Sequence, residues 1–258
     1  METDIFKMKI AAVIPVRMGS SRFPGKPLTP ILGRAMVEHV YRRVAMCSRL
    51  DGGVFVATPD PEIARAAESF GGQVIMTSPD HQRASDRVAE AAEQLDADII
   101  VMIQGDEPLV TPQMVELSFQ PLLEDPTIFC TNLTKRIGSR EEYNDRNTIK
   151  VVMDHEGYAL YFSREPIPTI HGGDFSTIKA YKQVCIIPYP KQFLLDFYHM
   201  APTELEVSES IDMLRILEHG KRVKMVECTD DVHSVDMLRD VAIVEKLMQH
   251  DPVLAQYT

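Results

Sequence analysis

The chain has 258 residues, 45% of them hydrophobic, and a formal net charge of −11. That length supports one large domain with a substantial core, or two small ones, and the acidic balance argues against a generally basic nucleic-acid surface. The four cysteines, Cys47, Cys130, Cys185 and Cys228, lie far apart with no C-x-x-C pair, which argues against a zinc site and a disulfide scaffold. The opening "METDIFKMKIAAVIPV" starts acidic and has only a short apolar run, unlike a secretory signal. No apolar segment approaches the roughly 18 residues of a membrane span. The expectation is a single cytoplasmic domain over residues 1–258, with no membrane insertion and no nucleic-acid partner.

Apolar runs alternate with helical patterns along the first half. "KIAAVIPV" (Lys9–Val16) reads as a strand and is followed by a loop, "RMGSSRFPGKPL". In Ala35–Cys47 the residues Met36, Val40, Val44 and Cys47 share one helical face. "GVFVATP" is the next strand, and "PDPEIARAAESF" begins with Asp and Pro as a helix does. "QVIMTS" is a third strand, "SDRVAEAAEQL" a helix with Ser85 as its N-cap, and "DIIVMIQGDEP" a fourth strand ending in an acidic turn. This rhythm implies a mostly parallel sheet covered on both faces.

The second half is richer in strands. "IFCTNLTKRI" and "TIKVVMDHEGYALYFS" read as strands, the latter a hairpin turning at "DHEG", and "KQVCIIPY" as one more. Helices are expected at Lys191–Met200 and Glu204–His219, then a strand "RVKMVEC" and a last helix in "VDMLRDVAIVEKLM". The whole is an α/β core with a strand-rich insertion at about 127–190, placed to cover the site or to mediate oligomerisation.

Ligands of open α/β sheets bind beyond the carboxyl ends of the strands. The loop after the first strand offers Gly19 and Gly25 for close backbone approach, Ser20 and Ser21 as hydroxyl donors, and Arg17, Arg22 and Lys26 as phosphate-neutralising cations. It has neither G-x-G-x-x-G nor the GK[ST] ending of a P-loop, which disfavours a dinucleotide dehydrogenase and a Walker-type ATPase. Asp106 in "QGDEP" and Asp236 in "HSVDML" both reach that edge and could share one Mg²⁺. Taken alone, each aspartate also fits an ordinary helix cap. The motif "DAD" (Asp96–Asp98) resembles a glycosyltransferase D-x-D, but it precedes its strand and so falls at the wrong end. A non-catalytic nucleotide sensor remains a further alternative.

At these residues the chain resembles a known family. "RMGSSRFPGKPL" is similar to the signature loop of nucleotidyltransferases that activate sugars with CTP. With "MTSPDHQ", "QGDEP", "KVVMDHEGYALYFSR" and the late "VD", it resembles the 3-deoxy-manno-octulosonate (Kdo) cytidylyltransferase family, from Ile10 to about Met248. The resemblance implies a Rossmann-like nucleotidyltransferase (GT-A-like) fold, a homodimer, Mg²⁺ as cofactor, and CMP transfer from CTP to a sugar acid for lipopolysaccharide synthesis. It implies Arg17, Lys26, Asp106 and Asp236 as catalytic, and Asp106 and Asp236 as metal ligands. Nucleotide binding falls to Arg17, Met18, Gly19, Ser20, Arg22, Lys26, His81, Arg83, Ser85, Arg87 and Asp106. A small acidic acceptor falls to Gln104, Arg164, Lys182, Gln183, Glu209 and Asp212.

The departures from the family pattern cluster in the acceptor half. "HQSGTDR" becomes "HQRASDR", "RHIGIY" becomes "KQVCII", "PLEQIEKLEQLR" becomes "ELEVSESIDMLR", and "VDTPEDL" becomes "VDMLRDV". The acceptor is therefore Kdo or a related acid, such as an amino-Kdo, a sialic-type sugar or a small phosphonate.

Overall fold

The computed structural model describes residues 8–19 and 23–257. In chain order the first half comprises β1 (Ile10–Pro15), the two-residue strands β2 (Pro30–Ile31) and β3 (Arg34–Ala35), α1 (Met36–Ala45), β4 (Val54–Thr58), α2 (Pro61–Ser69), β5 (Gln73–Met76), α3 (Ala84–Glu93), β6 (Ile99–Ile103) and α4 (Pro112–Glu124). The second half comprises β7 (Thr131–Arg136), α5 (Arg140–Asn144), β8 (Lys150–Met153), β9 (Ala159–Ser163), β10 (Tyr181–Val184), β11 (Ile186–Pro190), α6 (Lys191–His199), α7 (Glu204–Glu209), α8 (Met213–Glu218), β12 (Lys224–Glu227) and α9 (Leu238–Met248).

Strand β1 is buried along its whole length, and its period of two divides the core. Ile10, Ala12 and Ile14 join the apolar faces of α1, α2 and α4, including Val37, Val40, Val44, Ile63 and Phe119. Ala11 and Val13 join Val88, Ala89, Ala91 and Ala92 of α3, together with Leu194 and Phe197 of α6. Helices thus cover both faces of a five-stranded sheet in the order β11-β6-β1-β4-β5. The pairs β6–β1, β1–β4 and β4–β5 are parallel, and β11 adds an antiparallel edge. The parallel sheet expected from the alternating pattern is the one observed.

A second five-stranded sheet, β12-β7-β10-β8-β9, is mostly antiparallel. Its edge strand β12 comes from beyond residue 220 and pairs parallel with β7. The "DHEG" hairpin is present, with Asp154 Oδ1 accepting from the N–H groups of Glu156 and Tyr158 at 2.9 and 2.8 Å.

Three local readings are corrected. "KQVCIIPY" is two strands, because the chain leaves the second sheet at Val184 and enters the first at Ile186; Cys185 sits at the crossing, its carbonyl accepting from Gln104 N at 3.1 Å. The helix expected over Glu204–His219 is broken by Ser210, at φ 54°. Ser85 does not cap α3: Arg83 holds that position, and Ser85 is buried inside the first turn. Helix α4 adds to the expected elements: Thr111 caps it by accepting from Met114 N at 3.1 Å, and Pro112 follows, a usual start signal.

Candidate active site

The carboxyl ends of β1 and β6 open into a cleft of about 940 Å³, lined among others by Arg17, Gln104, Asp106, Lys182, Asp212 and Asp236. Its geometry begins with a glycine. A Cβ on Gly105 would lie 2.1 Å from Val16 Cγ1, so only glycine lets the turn after β6 lie against the end of β1. That contact carries Asp106 to the loop after β1. There Gly25, at φ 73°, opens a short 3₁₀ turn whose first residue is Lys26. Lys26 Nζ sits 2.5 Å from Asp106 Oδ2 and donates to the carbonyl of Val235 at 2.8 Å. Val235 N in turn donates to the carbonyl of Asp106 at 3.0 Å. Three segments far apart in sequence therefore meet at one point, with Asp236 next in line on the cleft wall.

The other oxygen of Asp106, Oδ1, is buried and has no hydrogen-bond partner among the described residues. An orphaned carboxylate oxygen beside a second cleft aspartate suits a magnesium ion that takes its remaining ligands from phosphate and water. No group of three or more His, Cys, Asp or Glu that could hold a metal occurs among the described residues. Glu107, unread in the sequence, is 3% exposed. Burial first, and then the charge of Asp106, push its carboxyl up to about 7. "DAD" lies at the opposite end of β6, where Asp96 pairs with Lys9 Nζ at 2.8 Å and Asp98 accepts from Lys9 N at 2.8 Å.

Of the residues assigned to nucleotide, Arg17 is exposed and lines the cleft. Met18 N is held by Asp60 Oδ2 at 2.7 Å beside the exposed Gly19. Ser20 and Arg22 lie outside the described residues. His81 is not in the lining: it bonds Glu90 Oε2 at 2.6 Å in a neighbouring recess. Arg87 is buried, donating to Thr77 Oγ1 at 2.7 Å, and its pKa is lowered by burial and then by Arg17. Arg83 lines the cleft and donates to Ser210 Oγ at 3.0 Å. Ser85 Oγ donates to Asp212 Oδ2 at 2.7 Å.

Of the acceptor residues, Gln104 and Gln183 line the cleft, the latter donating to Asn132 Oδ1 at 2.6 Å. Lys182 Nζ pairs with Glu142 Oε1 at 2.5 Å. Asp212 is raised in pKa by burial, against the opposing bond from Ser85. Arg164 lines the cleft, and its Nε donates to the carbonyl of Glu209 at 2.7 Å. Glu209 stands behind it, outside the lining, accepting from Ser163 Oγ at 2.7 Å and Arg164 N at 2.8 Å. These bonds explain the displacement of Glu209 and Arg87 from the ligand side: their charged atoms already hold the chain together.

The chain is similar to known proteins along most of its length. The cytidylyltransferase family profile matches residues 11–223. A 3-deoxy-manno-octulosonate cytidylyltransferase of Geobacter metallireducens is 45% identical over 93% of this chain and 98% of its own. The Geobacter sulfurreducens enzyme of the same name is 44% identical over 93% and 100%. The solved structure of a CMP:2-keto-3-deoxy-manno-octonic acid synthetase complexed with CTP is 36% identical, with a TM-score of 0.85 over 93% of this chain and 98% of that one. A 4-diphosphocytidyl-2C-methyl-D-erythritol synthase from Anaerococcus prevotii, at 13% identity and TM-score 0.62 over 95% and 100%, shares the fold. With a strand-end cleft lined by Asp106 and Asp236, Lys26 bonded to Asp106 beside it, and identity near 45% along almost its whole length, this chain belongs to the 3-deoxy-manno-octulosonate cytidylyltransferase family.

Proposed function

We propose that the chain transfers CMP from CTP to 3-deoxy-manno-octulosonate and releases pyrophosphate. The observation that carries this reading is Lys26, held between Asp106 and Val235 at the strand end, where a triphosphate needs charge neutralisation. The acceptor's anomeric hydroxyl attacks the α-phosphorus and gives its proton to solvent water, while the α–β bridging P–O bond breaks and pyrophosphate leaves with the bonding pair. Lys26 and Arg17 supply positive charge to the triphosphate. Asp106 and Asp236 would hold Mg²⁺, which when bound neutralises phosphate charge and lowers the pKa of the attacking hydroxyl. Gln104 and Gln183 orient the acceptor from the second wall. No covalent nucleophile is required, because positioning and electrostatics dominate such transfers.

A related acid as acceptor is favoured by one observation. Arg83 and Asp212, at segments that depart from the family pattern, face each other across 3.4 Å in the cleft wall, and Ser85 bonds Asp212 from behind. A pyrophosphate-release screen of CTP, ATP and GTP against Kdo, other sugar acids, phosphonates and neutral hexoses decides. The reading expects CTP with an acid. Equal turnover with a purine triphosphate, a neutral hexose as best acceptor, or release of a nucleoside phosphate in place of pyrophosphate would overturn it. No helix among the described residues is long and apolar enough to cross a membrane. We also propose cytoplasmic homodimers, in keeping with the free cysteines; light scattering on the purified chain tests the assembly.

A further inference from the structure

Glu107 follows Asp106 in the chain, yet it is almost fully buried. Burying a carboxyl is costly unless its oxygens are bonded, so its partners matter. Oε1 accepts from Ser234 Oγ at 2.7 Å and more distantly from Cys185 N at 3.4 Å. Ser234 stands two residues before Asp236, on a stretch between β12 and α9 without regular structure. Irregular backbone has no ladder of its own to hold it, and here side chains from elsewhere add to the single bond from Val235 N to the carbonyl of Asp106. Thr111 Oγ1 donates to Asp230 Oδ1 at 3.2 Å, Lys135 Nζ donates to the carbonyl of Asp230, and Lys26 Nζ donates to that of Val235 at 2.8 Å. The Ser234–Glu107 bond ties this stretch back to the turn bearing Asp106 two residues before Asp236, beside the bond from Val235 N to the carbonyl of Asp106.

We propose that Glu107 is a positioning residue which, through Ser234, locks the Asp236 segment to the Asp106 turn and so sets the spacing of the two carboxylates. The inference rests on the proposed metal role of Asp106 and Asp236. Partners that orient metal-binding side chains commonly change metal affinity or activity by about 10–100-fold when removed.

The test uses the full-length chain and titration calorimetry of CTP, without acceptor, in the absence and presence of Mg²⁺. Ser234→Ala and Glu107→Ala should each lose about 10–100-fold of the magnesium-dependent gain in CTP affinity while keeping the metal-free affinity. Glu107→Gln retains an acceptor for the Ser234 hydroxyl and should bind almost as the parent does. The double variant Glu107→Ala/Ser234→Ala should be no worse than Glu107→Ala, since both remove one link. If Glu107→Ala does not fold, Ser234→Ala alone decides. An Asp236→Asn chain that loses the magnesium-dependent gain beside a Ser234→Ala chain that keeps it would leave the metal reading standing and sink the positioning role. An Asp236→Asn chain that keeps the gain would remove the metal reading, and the inference with it. Equal weakening with and without Mg²⁺ in Ser234→Ala would reduce Glu107 to a general structural part and also overturn the proposal.

Discussion

At the strand end of the cleft, Lys26 meets Asp106 and one oxygen of that aspartate has no partner among the described residues. At the far end, the charged side chains satisfy one another. Arg83 lies 3.4 Å from Asp212, Ser85 bonds Asp212, Glu209 accepts from the backbone N–H of Arg164, and behind them, outside the lining, Arg215 grips Glu206 with two bonds of 2.7 and 2.5 Å. The difference teaches how to read a charged residue in a cleft. A group with unfilled hydrogen-bonding capacity is poised for a ligand, whereas one whose atoms are filled from within sets the shape of the wall. Substitutions at the first end should change chemistry, and those at the second should change stability or acceptor affinity.

The sharpest way to break that contrast is at the aspartates. Asp106→Asn and Asp236→Asn should each lower turnover by orders of magnitude, with little change in CTP affinity measured without metal. Combined, they should cost much less than the product of the single effects, because both disable one unit. Met237, and not Asp236, stands at the cap of α9, so a lost cap would not account for a fall in the turnover of Asp236→Asn. A fully active Asp236→Asn enzyme in steady-state assay would leave Asp106 as the sole ligand.

The far end gives the opposite expectation. Arg215 and Glu206 are 4% and 1% exposed. Arg215→Met should leave the buried Glu206 carboxylate with only the more distant Arg83 and the Thr203 N–H and destabilise by about 3–5 kcal/mol, a Tm loss on the order of 10 °C. Arg215→Met with Glu206→Leu should recover most of it. A thermal melt that barely moves in the single variant would show the pair to be dispensable.

How much of this was legible in the sequence follows the same division. The strand-end residues were readable because each follows an apolar run, and parallel strands bring their carboxyl ends to one edge whatever the loops do. Asp106 and Lys26 needed no more than that. The far end was not readable in the same way. Whether Glu209 or Asp212 faces the cleft depends on the break at Ser210, and a serine at positive φ leaves no mark in a helical pattern. The split of "KQVCIIPY" was hidden for a similar reason: both halves are strands, and only pairing partners distinguish them. Glu107 had a weak signal, an acidic residue between Asp106 and a proline in a turn, but nothing local separates a buried glutamate from an exposed one.

Lys26 tests the strand end by charge alone. Lys26→Ala should lose roughly 2–3 kcal/mol of charged hydrogen bonding, about 30–150-fold in kcat/KM for CTP, with its melting curve close to the parent's. Unchanged kinetics in the folded variant would place the lysine outside the reaction. Ser85→Ala makes the smaller, matching test at the other end. It removes one bond to the half-buried Asp212 carboxylate and should raise the acceptor KM about tenfold while leaving the KM for CTP in place. An effect on CTP alone would move this residue to the nucleotide side and blur the contrast.

The mildest expected effect comes from Lys150, which braces the far wall from behind. Its Nζ is buried and donates to the carbonyls of Asp145, Thr148 and Arg164 at 2.8, 2.6 and 2.6 Å. All three of those residues line the cleft. Burial lowers the ammonium from 10.5 to about 8, against the raising pull of Asp145 and Glu165. Below that value the folded and unfolded chains both carry the charge, and this group gives stability no pH slope. Between about 8 and 10.5 the folded chain has released its proton while the unfolded chain retains it. The unfolded state then binds more protons, so this contribution to stability rises with pH. Function moves the other way. A neutral amine has two N–H donors for three carbonyls, so one wall segment is released. The acceptor KM should therefore climb a few-fold toward about pH 9, while the KM for CTP gains no such slope from this lysine. Lys150→Met should show the raised acceptor KM already at neutral pH, with the alkaline increase gone. An acceptor KM that follows the same pH profile in both chains would detach Lys150 from the wall and leave its buried charge a matter of folding alone.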